Sequence, residues 1–282
     1  MTLKQLSTSN HDRDAVGMTY VYPVISRRAG GVSVGVNLNP NNACNWHCAY
    51  CQVPNLVRGV APAIDLQLLR SELTTMLEDI RHGTFMTRQV PADCRKLCDI
   101  AISGNGEPTS CAAFDRVVDL IVEVMQQFDL SIPLRLITNG SYVHKAHVRR
   151  GLARMAEHRG EVWIKVDRAT DAGIERINGV KLDAVRLARQ VTTVANTCPS
   201  WIQTCMAAWD GQPPTEHELC SYIHFLEDLQ HRSVPIHGVL LYGLARPSLQ
   251  DEAAHLSRLD AVWMQLAAER IRQSGFEVQL SI

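Results

Sequence analysis

The sequence lacks any apolar run near the length that a membrane-spanning helix needs, and it has no low-complexity tract. It also lacks an excess of charge of either sign, since 28 lysines and arginines face 29 aspartates and glutamates. These absences predict a soluble globular protein without the global basic field of a protein that grips nucleic acid through many phosphates. At 282 residues, 46% of them apolar, the chain is long enough to bury the core of one α/β barrel.

The N-terminal segment, residues 1–14, is polar and contains no apolar stretch of the signal-peptide type. The chain has nine cysteines, an odd number. Metal-bound or free thiols in a reducing compartment fit this usage better than a disulfide framework does. We therefore expect a cytoplasmic protein.

The most informative motif is a cluster of three cysteines. Cys44, Cys48 and Cys51 have the spacing C-x3-C-x2-C, which offers three thiolates from one tight loop and no fourth. A structural zinc site uses four protein ligands and an ordinary cubane cluster takes four cysteines, so three cysteines indicate an iron-sulfur site with one open metal position. Two alternatives stay open: a zinc site completed by His47 or a distant residue, and three buried cysteines without a metal.

Short apolar runs alternate with amphipathic helical patterns along the chain, which is typical of repeated βα units and a mainly parallel sheet. The predicted strands cover residues 32–38, 99–103, 134–138, 162–166, 201–206 and 236–242, with a short terminal strand at 276–282. The predicted helices cover residues 66–80, 114–128, 148–157, 183–194 and 257–273, and one more begins at a capping box over residues 215–218. This α/β pattern of six strand-helix units fits a partial (βα)6 TIM-like barrel or an open doubly wound sheet.

We expect residues 1–31 to form an N-terminal extension and residues 32–282 to form a single domain with a parallel sheet and a C-terminal strand. The cysteine loop follows the first predicted strand. In parallel α/β architectures the chemistry takes place at the carboxyl ends of the strands, so the other strand ends are predicted to surround this loop.

Polar and glycine residues stand at those predicted strand ends. Residues 103–109 after the second strand contain two glycines that let the backbone pass close to a ligand, although a glycine-rich turn alone is weak evidence. Lys165 and Asp167 point the same way at the end of the fourth strand, as a salt bridge at a barrel rim or as a site for a zwitterion or a ribose. The remaining strand ends contribute Asn139, Gln203, Tyr242 and Arg246.

The cysteine motif, with Tyr50 before the last cysteine, resembles that of the radical S-adenosylmethionine (radical SAM) superfamily, as does the segment Gly104-Asn105-Gly106-Glu107-Pro108 one unit later. Further segments are similar to the branch that contains the wybutosine-type tRNA-modifying Fe-S oxidoreductases, namely residues 22–28, 136–140, 163–167, 202–204 and 241–247. The resemblance covers roughly residues 20–250, which is most of the chain.

The resemblance implies a partial (βα)6 barrel that holds a 4Fe-4S cluster on Cys44, Cys48 and Cys51, with the amino and carboxylate groups of S-adenosylmethionine on the unique iron. It further implies an external one-electron reductant of the flavodoxin or ferredoxin type, and cleavage of the cofactor to a 5′-deoxyadenosyl radical that abstracts hydrogen from a substrate. The implied cofactor-binding residues are Gly104, Gly106 and Glu107 at the methionine amino group, Asn139, Lys165 and Asp167 for the carboxylate and ribose, Tyr50 and Tyr242 on the adenine side, and Gln203.

The chain departs from this branch before the first strand. Wybutosine-type enzymes carry further cysteines there for a second cluster, and residues 1–43 of this chain contain none. This departure weakens the expectation of a tRNA substrate. Local phosphate contacts stay open for two groups of arginines, although a run of arginines on a helix is more often a solvated face: Arg27, Arg28 and Arg58, and Arg149, Arg150, Arg154 and Arg159.

The remaining cysteines are either scattered core and surface thiols or the ligands of an auxiliary cluster. Scattered thiols are the simpler account, because cysteine is among the most buried residue types. The two sets that would form an auxiliary site are Cys94, Cys98 and Cys111, and Cys198, Cys205 and Cys220.

The sequence therefore predicts a radical SAM enzyme with one cluster and an unidentified substrate, with RNA or a nucleoside ranked ahead of a peptide or a small metabolite on the branch resemblance alone. Substrate contacts are expected from residues 203–282 and from the loop at residues 53–58. The alternative is a non-catalytic Fe-S electron-transfer or metal-binding protein on the same scaffold. The Gly104 to Pro108 segment discriminates between the two, because an electron carrier needs no pocket for methionine.

Overall fold

A computed structural model of the chain describes residues 6–7, 16–26 and 30–282. Its strands are β1 (Val21–Ser26), β2 (Gly31–Val36), β3 (Ala43–Cys44), β4 (Val57–Arg58), β5 (Leu97–Ile102), β6 (Leu134–Thr138), β7 (Gly160–Lys165), β8 (Ser200–Cys205), β9 (Ala208–Trp209), β10 (Ile236–Tyr242), β11 (Leu256–Ser257) and β12 (Glu277–Ser281). Its helices are α1 (Leu66–Arg81), α2 (Phe85–Gln89), α3 (Phe114–Gln127), α4 (Ala146–Ala156), α5 (Asp171–Asn178), α6 (Ala184–Ala195), α7 (Glu216–His231) and α8 (Ala261–Gln273).

A sheet of eight strands forms the centre of the fold, in the order β1-β2-β5-β6-β7-β8-β10-β12. β1 and β2 are antiparallel, and the other neighbouring pairs in this sheet are parallel. From β2 onward each strand is added beside its predecessor, without the reversal of order that marks a doubly wound sheet. This order confirms the predicted partial barrel and rules out the doubly wound alternative.

The six predicted strand-helix units are present, with β12 as the terminal strand. Helix α3 shows why they pack as they do, because Val117, Ile121 and Val124 lie on one face and are buried. Helix α7 begins at the predicted capping box: the Glu218 backbone N–H donates to the Thr215 hydroxyl at 3.2 Å, and the Thr215 N–H donates to the Glu218 carboxylate at 3.1 Å. Across the described ranges, no helix combines the length and the apolar composition needed to cross a membrane.

Strand β1 is missing from the sequence prediction, which puts the first strand at residues 32–38. β1 is an antiparallel edge strand with no helix after it, so a search for βα alternation passes over it, and Pro23 lowers its strand signal further. The Tyr22 ring lies so close to Gly35 that a Cβ at position 35 would overlap it. Part of the segment predicted as an extension therefore forms one wall of the barrel.

Helix α5 is a second element that the sequence pattern does not predict. It has eight residues, and its buried apolar side chains are Ile174 and Ile177, too few to show a helical period. The Thr170 side chain caps its first turn by accepting from the Gly173 N–H at 3.1 Å. Gly179 ends the helix in a left-handed conformation with φ of 60°. This short helix reaches the cysteine loop.

Candidate active site

The cysteine loop follows β2 and lines the same cavity as residues at the carboxyl ends of β5, β6, β7, β8 and β10. A parallel pair between β3 and β4 closes the loop at its base. There the Val57 N–H donates to the Asn42 carbonyl at 3.0 Å, and the Gly59 N–H donates to the Cys44 carbonyl at 3.1 Å. The predicted position of the cysteines at the functional end of the barrel is therefore observed.

The carboxyl end of α5 holds the cysteine loop from the side. The His47 N–H donates to the Asn178 carbonyl at 3.0 Å, and the Ala49 N–H donates to the Ile177 carbonyl at 2.8 Å. Carbonyl groups in the last turn of a helix have no partner within the helix, so the loop satisfies them. These two hydrogen bonds fix the backbone on both sides of Cys48.

Replacing Gly179 by alanine is expected to loosen this attachment. A Cβ at position 179 would lie 2.5 Å from the His47 carbonyl oxygen, and its φ of 60° is unfavourable for alanine. Gly211 has a φ of 74° but no neighbouring atom within 4 Å of such a Cβ, so Gly211→Ala is a control for the backbone cost alone. We expect each variant to lose about 1 kcal/mol of unfolding free energy from the backbone, and Gly179→Ala to lose about 1–3 kcal/mol more from the overlap.

Urea unfolding and iron analysis after anaerobic reconstitution measure both effects. Gly179→Ala should also bind less iron than Gly211→Ala, because the cysteine loop must shift to admit the added methyl group. Equal stability and equal iron content in the two variants would show that the contact with His47 does not secure the loop.

The three cysteines line one cavity of about 400 Å³. The Trp46 backbone N–H donates to Cys44 Sγ at 3.4 Å, and Asn178 Nδ2 donates to Cys48 Sγ at 3.5 Å. Burial raises the pKa of Cys44 to about 12 and raises the pKa of Cys48 above its usual range. Buried thiols of this kind become thiolate ligands when a metal displaces their protons, and N–H donors aimed at sulfur stabilise that form.

The zinc alternative requires four side chains that converge on one ion. Within the ranges that the structure describes, no group of three or more His, Cys, Asp or Glu side chains is arranged to hold a metal ion. His47 faces Glu252 instead, with Nε2 at 3.3 Å from the carboxylate. A cubane cluster has an iron behind each thiolate, so its cysteines need not converge on one point as zinc ligands do.

The other cysteines are spread over the fold. Cys111 and Cys198 are buried in the hydrophobic core. Cys205, at the end of β8, is buried and lines the same cavity as the cysteine loop. The Cys220 thiol lies on α7 and donates to Glu216 Oε1 at 3.1 Å. This distribution favours scattered thiols over an auxiliary cluster.

The glycine-rich segment after β5 packs directly against the cysteine loop. A Cβ at Gly106 would overlap the Ala43 carbonyl oxygen, and a Cβ at Gly104 would overlap the Asn37 side chain. Asn37 Oδ1 in turn accepts from the Asn105 N–H at 3.0 Å. Glycine is therefore required at positions 104 and 106 by close approach of the two loops.

Glu107 is buried and ties the end of β6 to this segment. Its Oε1 accepts from the Thr109 N–H at 2.9 Å and from the Thr138 hydroxyl at 2.6 Å, and its Oε2 accepts from the Asn139 N–H at 2.7 Å. Burial raises the pKa of Glu107, although these hydrogen bonds oppose the rise. Asn139 continues the connection, because its Nδ2 donates to Asn45 Oδ1 in the cysteine loop at 2.9 Å.

Lys165 lies at the centre of a second group of predicted residues. Its Nζ donates to the Tyr50 hydroxyl at 2.6 Å and to the Tyr242 hydroxyl at 3.4 Å. The Tyr50 hydroxyl donates to Asp167, which also accepts from Asn178 Nδ2 at 2.6 Å. Burial alone would lower the pKa of Lys165, but Tyr242 and Asp167 outweigh it and hold this pKa well above its usual value. The cavity therefore contains a fixed cation.

The structure brings the predicted set together with one exception. The predicted metal-binding and cofactor-binding residues that line the same cavity are Cys44, Cys48, Cys51, Tyr50, Gly104, Gly106, Glu107, Asn139, Lys165, Gln203 and Tyr242. Asp167 is 1% exposed, does not line the cavity, and accepts from Tyr50, from Asn178 and from the Cys205 N–H at 2.7 Å. Asp167 thus supports the cavity wall from behind Tyr50.

Asn178 is a residue of the candidate site that the sequence did not indicate. Its side-chain amide is buried and donates both to Asp167 and to Cys48 Sγ, so it connects the Lys165 group to the cysteine loop. The one signal in the sequence was the Asn-Gly dipeptide at 178–179, which marks the end of a helix but not a ligand contact.

The arginines of α4 do not form a free basic patch. Arg150 pairs with Asp115 at 2.6 Å, and Arg154 pairs with Asp119 at 3.3 Å. Arg159, after the helix, donates to a backbone carbonyl at 2.9 Å. Arg149, also on α4, donates to the His144 carbonyl at 3.1 Å. Two of the four arginines are therefore ion-paired and two donate to backbone carbonyls, which fits the solvated face that the sequence favoured.

The other group of arginines divides in two. Arg58 donates to the Asn45 carbonyl at 2.6 Å and to the Gly179 carbonyl, so it joins the cysteine loop to the end of α5. Arg27 and Arg28 lie outside the described residues.

Comparisons of the sequence with known proteins cover less than half of the chain. No family model matches it. It is 29% identical over 133 residues to the GTPase Obg of Brachyspira hyodysenteriae, covering 46% of this chain and 17% of that protein. It is 32% identical over 130 residues to UPF0026 protein MJ1312 of Methanocaldococcus jannaschii, covering 46% of this chain and 36% of that protein.

Comparisons with solved structures cover far more of the chain. A radical SAM methyltransferase from Sphaerobacter thermophilus superposes with a TM-score of 0.62 at 12% identity, over 93% of this chain and 68% of that one. The maturase HydG of the [FeFe]-hydrogenase superposes with a TM-score of 0.53 at 13% identity, over 86% of this chain and 49% of that one. The protein anSMEcpe with bound AdoMet superposes with a TM-score of 0.52 at 14% identity, over 88% of this chain and 63% of that one. The chain therefore has the fold of radical SAM enzymes, while the wybutosine-type branch stays a prediction.

Proposed function

We propose that this protein is a radical SAM enzyme that binds a 4Fe-4S cluster and S-adenosylmethionine and modifies a substrate by radical chemistry. One observation carries the proposal. The three cysteines of the loop face the same cavity as the strand-end residues predicted to bind the cofactor, on a fold shared with radical SAM enzymes.

The residues present fit the two groups. Cys44 and Cys48 each have an N–H donor aimed at Sγ, which suits thiolates bound to iron. Gly106 brings the backbone of the strand-end segment against the cysteine loop. Gln203 lines the cavity, and its Oε1 is buried without a hydrogen-bond partner in the described part of the chain. This oxygen can accept a hydrogen bond from a bound ligand.

When bound, the cluster and cofactor would supply the one-electron cleavage that starts radical chemistry on a substrate. The chain's own residues bind and orient. Lys165, held as a cation, is placed to attract the methionine carboxylate. The hydroxyls of Tyr50 and Tyr242 accept hydrogen bonds from the Lys165 ammonium group and fix its position. Glu107 and Asn139 keep the strand ends at a fixed distance from the cysteine loop. The enclosing barrel walls limit access of water.

A proposal of this class includes a partner and a setting. The electron would come from an external one-electron carrier of the flavodoxin or ferredoxin type, as the resemblance implies. The odd number of free cysteines fits a reducing, cytoplasmic setting. A preference for RNA or a nucleoside rests on the branch resemblance alone, and the paired arginines of α4 add nothing to it.

The proposal predicts that anaerobically reconstituted protein forms 5′-deoxyadenosine from S-adenosylmethionine when dithionite is present and not when it is omitted. A second readout is the EPR spectrum of the reduced cluster, which should change when S-adenosylmethionine binds the open iron. A change in the spectrum without product would mean that cleavage waits for substrate. A fully loaded cluster with neither response would contradict the enzyme and favour the electron carrier.

A further inference from the structure

The cavity continues from the cysteine loop into the barrel, toward the amino-terminal ends of the strands. There it is lined by Ser33 on β2, Asp99 on β5, Arg135 on β6 and Trp163 on β7. Asp99 accepts from the Ser33 hydroxyl and from the Arg135 guanidinium, and Arg135 Nε donates to Glu161 Oε1 at 3.1 Å. We call these five residues the floor cluster.

Packing does not explain the floor cluster. The interior of a TIM-type barrel is ordinarily filled with layers of Val, Ile and Leu, and a buried ion pair often gives less stability than apolar side chains of the same volume. Here the Asp99 side chain is 3% exposed and that of Arg135 is 18% exposed, and both border open space. Charges kept at the end of a cavity indicate ligand recognition.

The charges of the floor cluster do not balance. Arg135 pairs with Asp99 and with Glu161, so two carboxylates share one guanidinium. Lys165 cannot compensate, because it belongs to the Tyr50 and Asp167 group at the other end of the cavity. A carboxylate or phosphate that entered would meet an excess of negative charge in a water-poor space, whereas a cation would be stabilised there.

The walls around the floor cluster are apolar and aromatic. The Trp163 ring lines the cavity, with the Arg135 guanidinium 5.0 Å from its centre, and Trp163 Nε1 donates to Glu161 Oε1 at 2.6 Å. Ala101 and Ile137, on the same strands as Asp99 and Arg135, line the space between the floor and the strand ends. A ligand group that fits must therefore combine a positive nitrogen with a flat or apolar body.

Gln203 stands in register with Lys165 on the neighbouring strand, at the cofactor end of the cavity. It is 6% exposed and lines the same cavity, and its Oε1 has no hydrogen-bond partner in the described ranges. A buried acceptor without a partner is costly, and a ligand N–H or O–H satisfies it. Gln203 therefore serves the cofactor proposed above, and the case for the floor cluster rests on Asp99, Arg135, Glu161 and Trp163.

We propose that the floor cluster is the substrate subsite of this enzyme and binds a cationic nitrogen group, an amine, amidine or guanidine, carried on a flat or apolar body. The inference rests on the proposed function, which assigns the other end of the cavity to S-adenosylmethionine. It places the determinant of specificity on β2, β5, β6 and β7, whereas the sequence pointed to residues 203–282 and 53–58. Free carboxylates and phosphates are rejected at this end.

Benzamidine and benzoate test the proposal, because they have nearly the same size and shape and opposite charge. The full chain, anaerobically reconstituted, is titrated with each and followed by tryptophan fluorescence and by calorimetry. We expect saturable binding of benzamidine and binding of benzoate weaker by at least about tenfold. Saturating S-adenosylmethionine should leave the benzamidine affinity within about twofold, since the two ligands occupy different ends of the cavity.

Two variants locate the binding. Asp99→Asn and Glu161→Gln each remove one carboxylate charge while keeping the size of the side chain. Each should weaken the affinity for benzamidine by about tenfold and reduce the ratio of the benzamidine affinity to the benzoate affinity. Circular dichroism and thermal unfolding verify that each variant folds. Weaker benzamidine binding in one folded variant is enough to locate the ligand at the floor cluster. Glu123→Gln, an exposed carboxylate on α3 that pairs with Arg70, is the matched control and should change nothing.

Three outcomes would overturn the proposal: benzoate binds as tightly as benzamidine, S-adenosylmethionine displaces benzamidine, or neither folded variant weakens it. Absence of benzamidine binding would overturn it as well. The titrations are repeated on protein without iron, so that binding at the floor cluster is measured apart from the iron site. Charge discrimination by a protein that, when loaded with the cluster, shows neither cofactor cleavage nor the EPR change would leave the subsite standing and remove the proposed function. Cleavage without charge discrimination would do the reverse.

Discussion

Replacing Cys48 by alanine is expected to abolish iron-sulfur cluster binding and, with it, every response to S-adenosylmethionine. Cys48 is the middle ligand of the loop, and the two thiols that remain cannot hold a cubane cluster that already lacks a fourth cysteine. The hydrogen bonds that flank it, from His47 and Ala49 to the end of α5, involve backbone atoms and survive the substitution. The variant should therefore fold and yet bind more than about tenfold less iron.

Iron and sulfide content after anaerobic reconstitution measure this loss, and thermal unfolding of the iron-free proteins verifies the fold. Cys94→Ala and Cys220→Ala are the controls, one from each set considered for an auxiliary cluster, and both thiols are partly exposed. Each control should keep the full iron content. Iron loss in a control comparable to that in Cys48→Ala would mean that a second cluster exists after all.

The cysteine site could be predicted from sequence because its information is local. Cys44, Cys48 and Cys51 lie within one loop, so their spacing alone fixes that they can bind one group. The strand-end residues Gly104 and Lys165 followed from one further rule, that parallel strands present their carboxyl ends on one side. Hydrophobic periodicity predicts the strands, and the order of the strands predicts which residues lie at their shared carboxyl edge. Those residues line the observed cavity.

The site residues that could not be predicted from the sequence owe their positions to contacts between distant parts of the chain. Tyr22 reaches the cavity because β1 pairs in antiparallel fashion with β2, a pairing outside the βα pattern. Asp167 has the right alternation to face the cavity, but Tyr50 and Asn178 bind its carboxylate and lie in front of it. Alternation along a strand predicts which side a residue faces and does not predict what covers it.

The floor of the barrel shows the same limit. Asp99 and Arg135 stand on neighbouring strands, and no short motif joins them. Their pairing depends on the stagger of adjacent strands around the barrel, which a single sequence does not specify. A sequence search directed at loops and strand ends therefore passes over the side chains inside the barrel.

Replacing Glu107 by glutamine is expected to destabilise the protein by about 2–5 kcal/mol, a large part of the stability of an ordinary domain. The carboxylate accepts from the Thr109 N–H, the Thr138 hydroxyl and the Asn139 N–H, all in the interior. A glutamine keeps one acceptor oxygen and turns the other into an NH2 group. Whichever way that amide is turned, a buried donor then faces another donor. Thermal and urea unfolding of the iron-free protein measure the loss.

The same substitution separates two roles that the sequence and the structure give to Glu107. The resemblance assigns it to the methionine amino group, whereas the structure shows its oxygens bound to β6 and to its own turn. Glu123→Gln, exposed on α3, is the control and should cost no more than about 0.5 kcal/mol. A stable Glu107→Gln variant with weakened S-adenosylmethionine binding would mean that the carboxylate serves the ligand first. Lost stability is expected instead, with any effect on cofactor binding following from displaced strand ends, because both carboxylate oxygens already have partners.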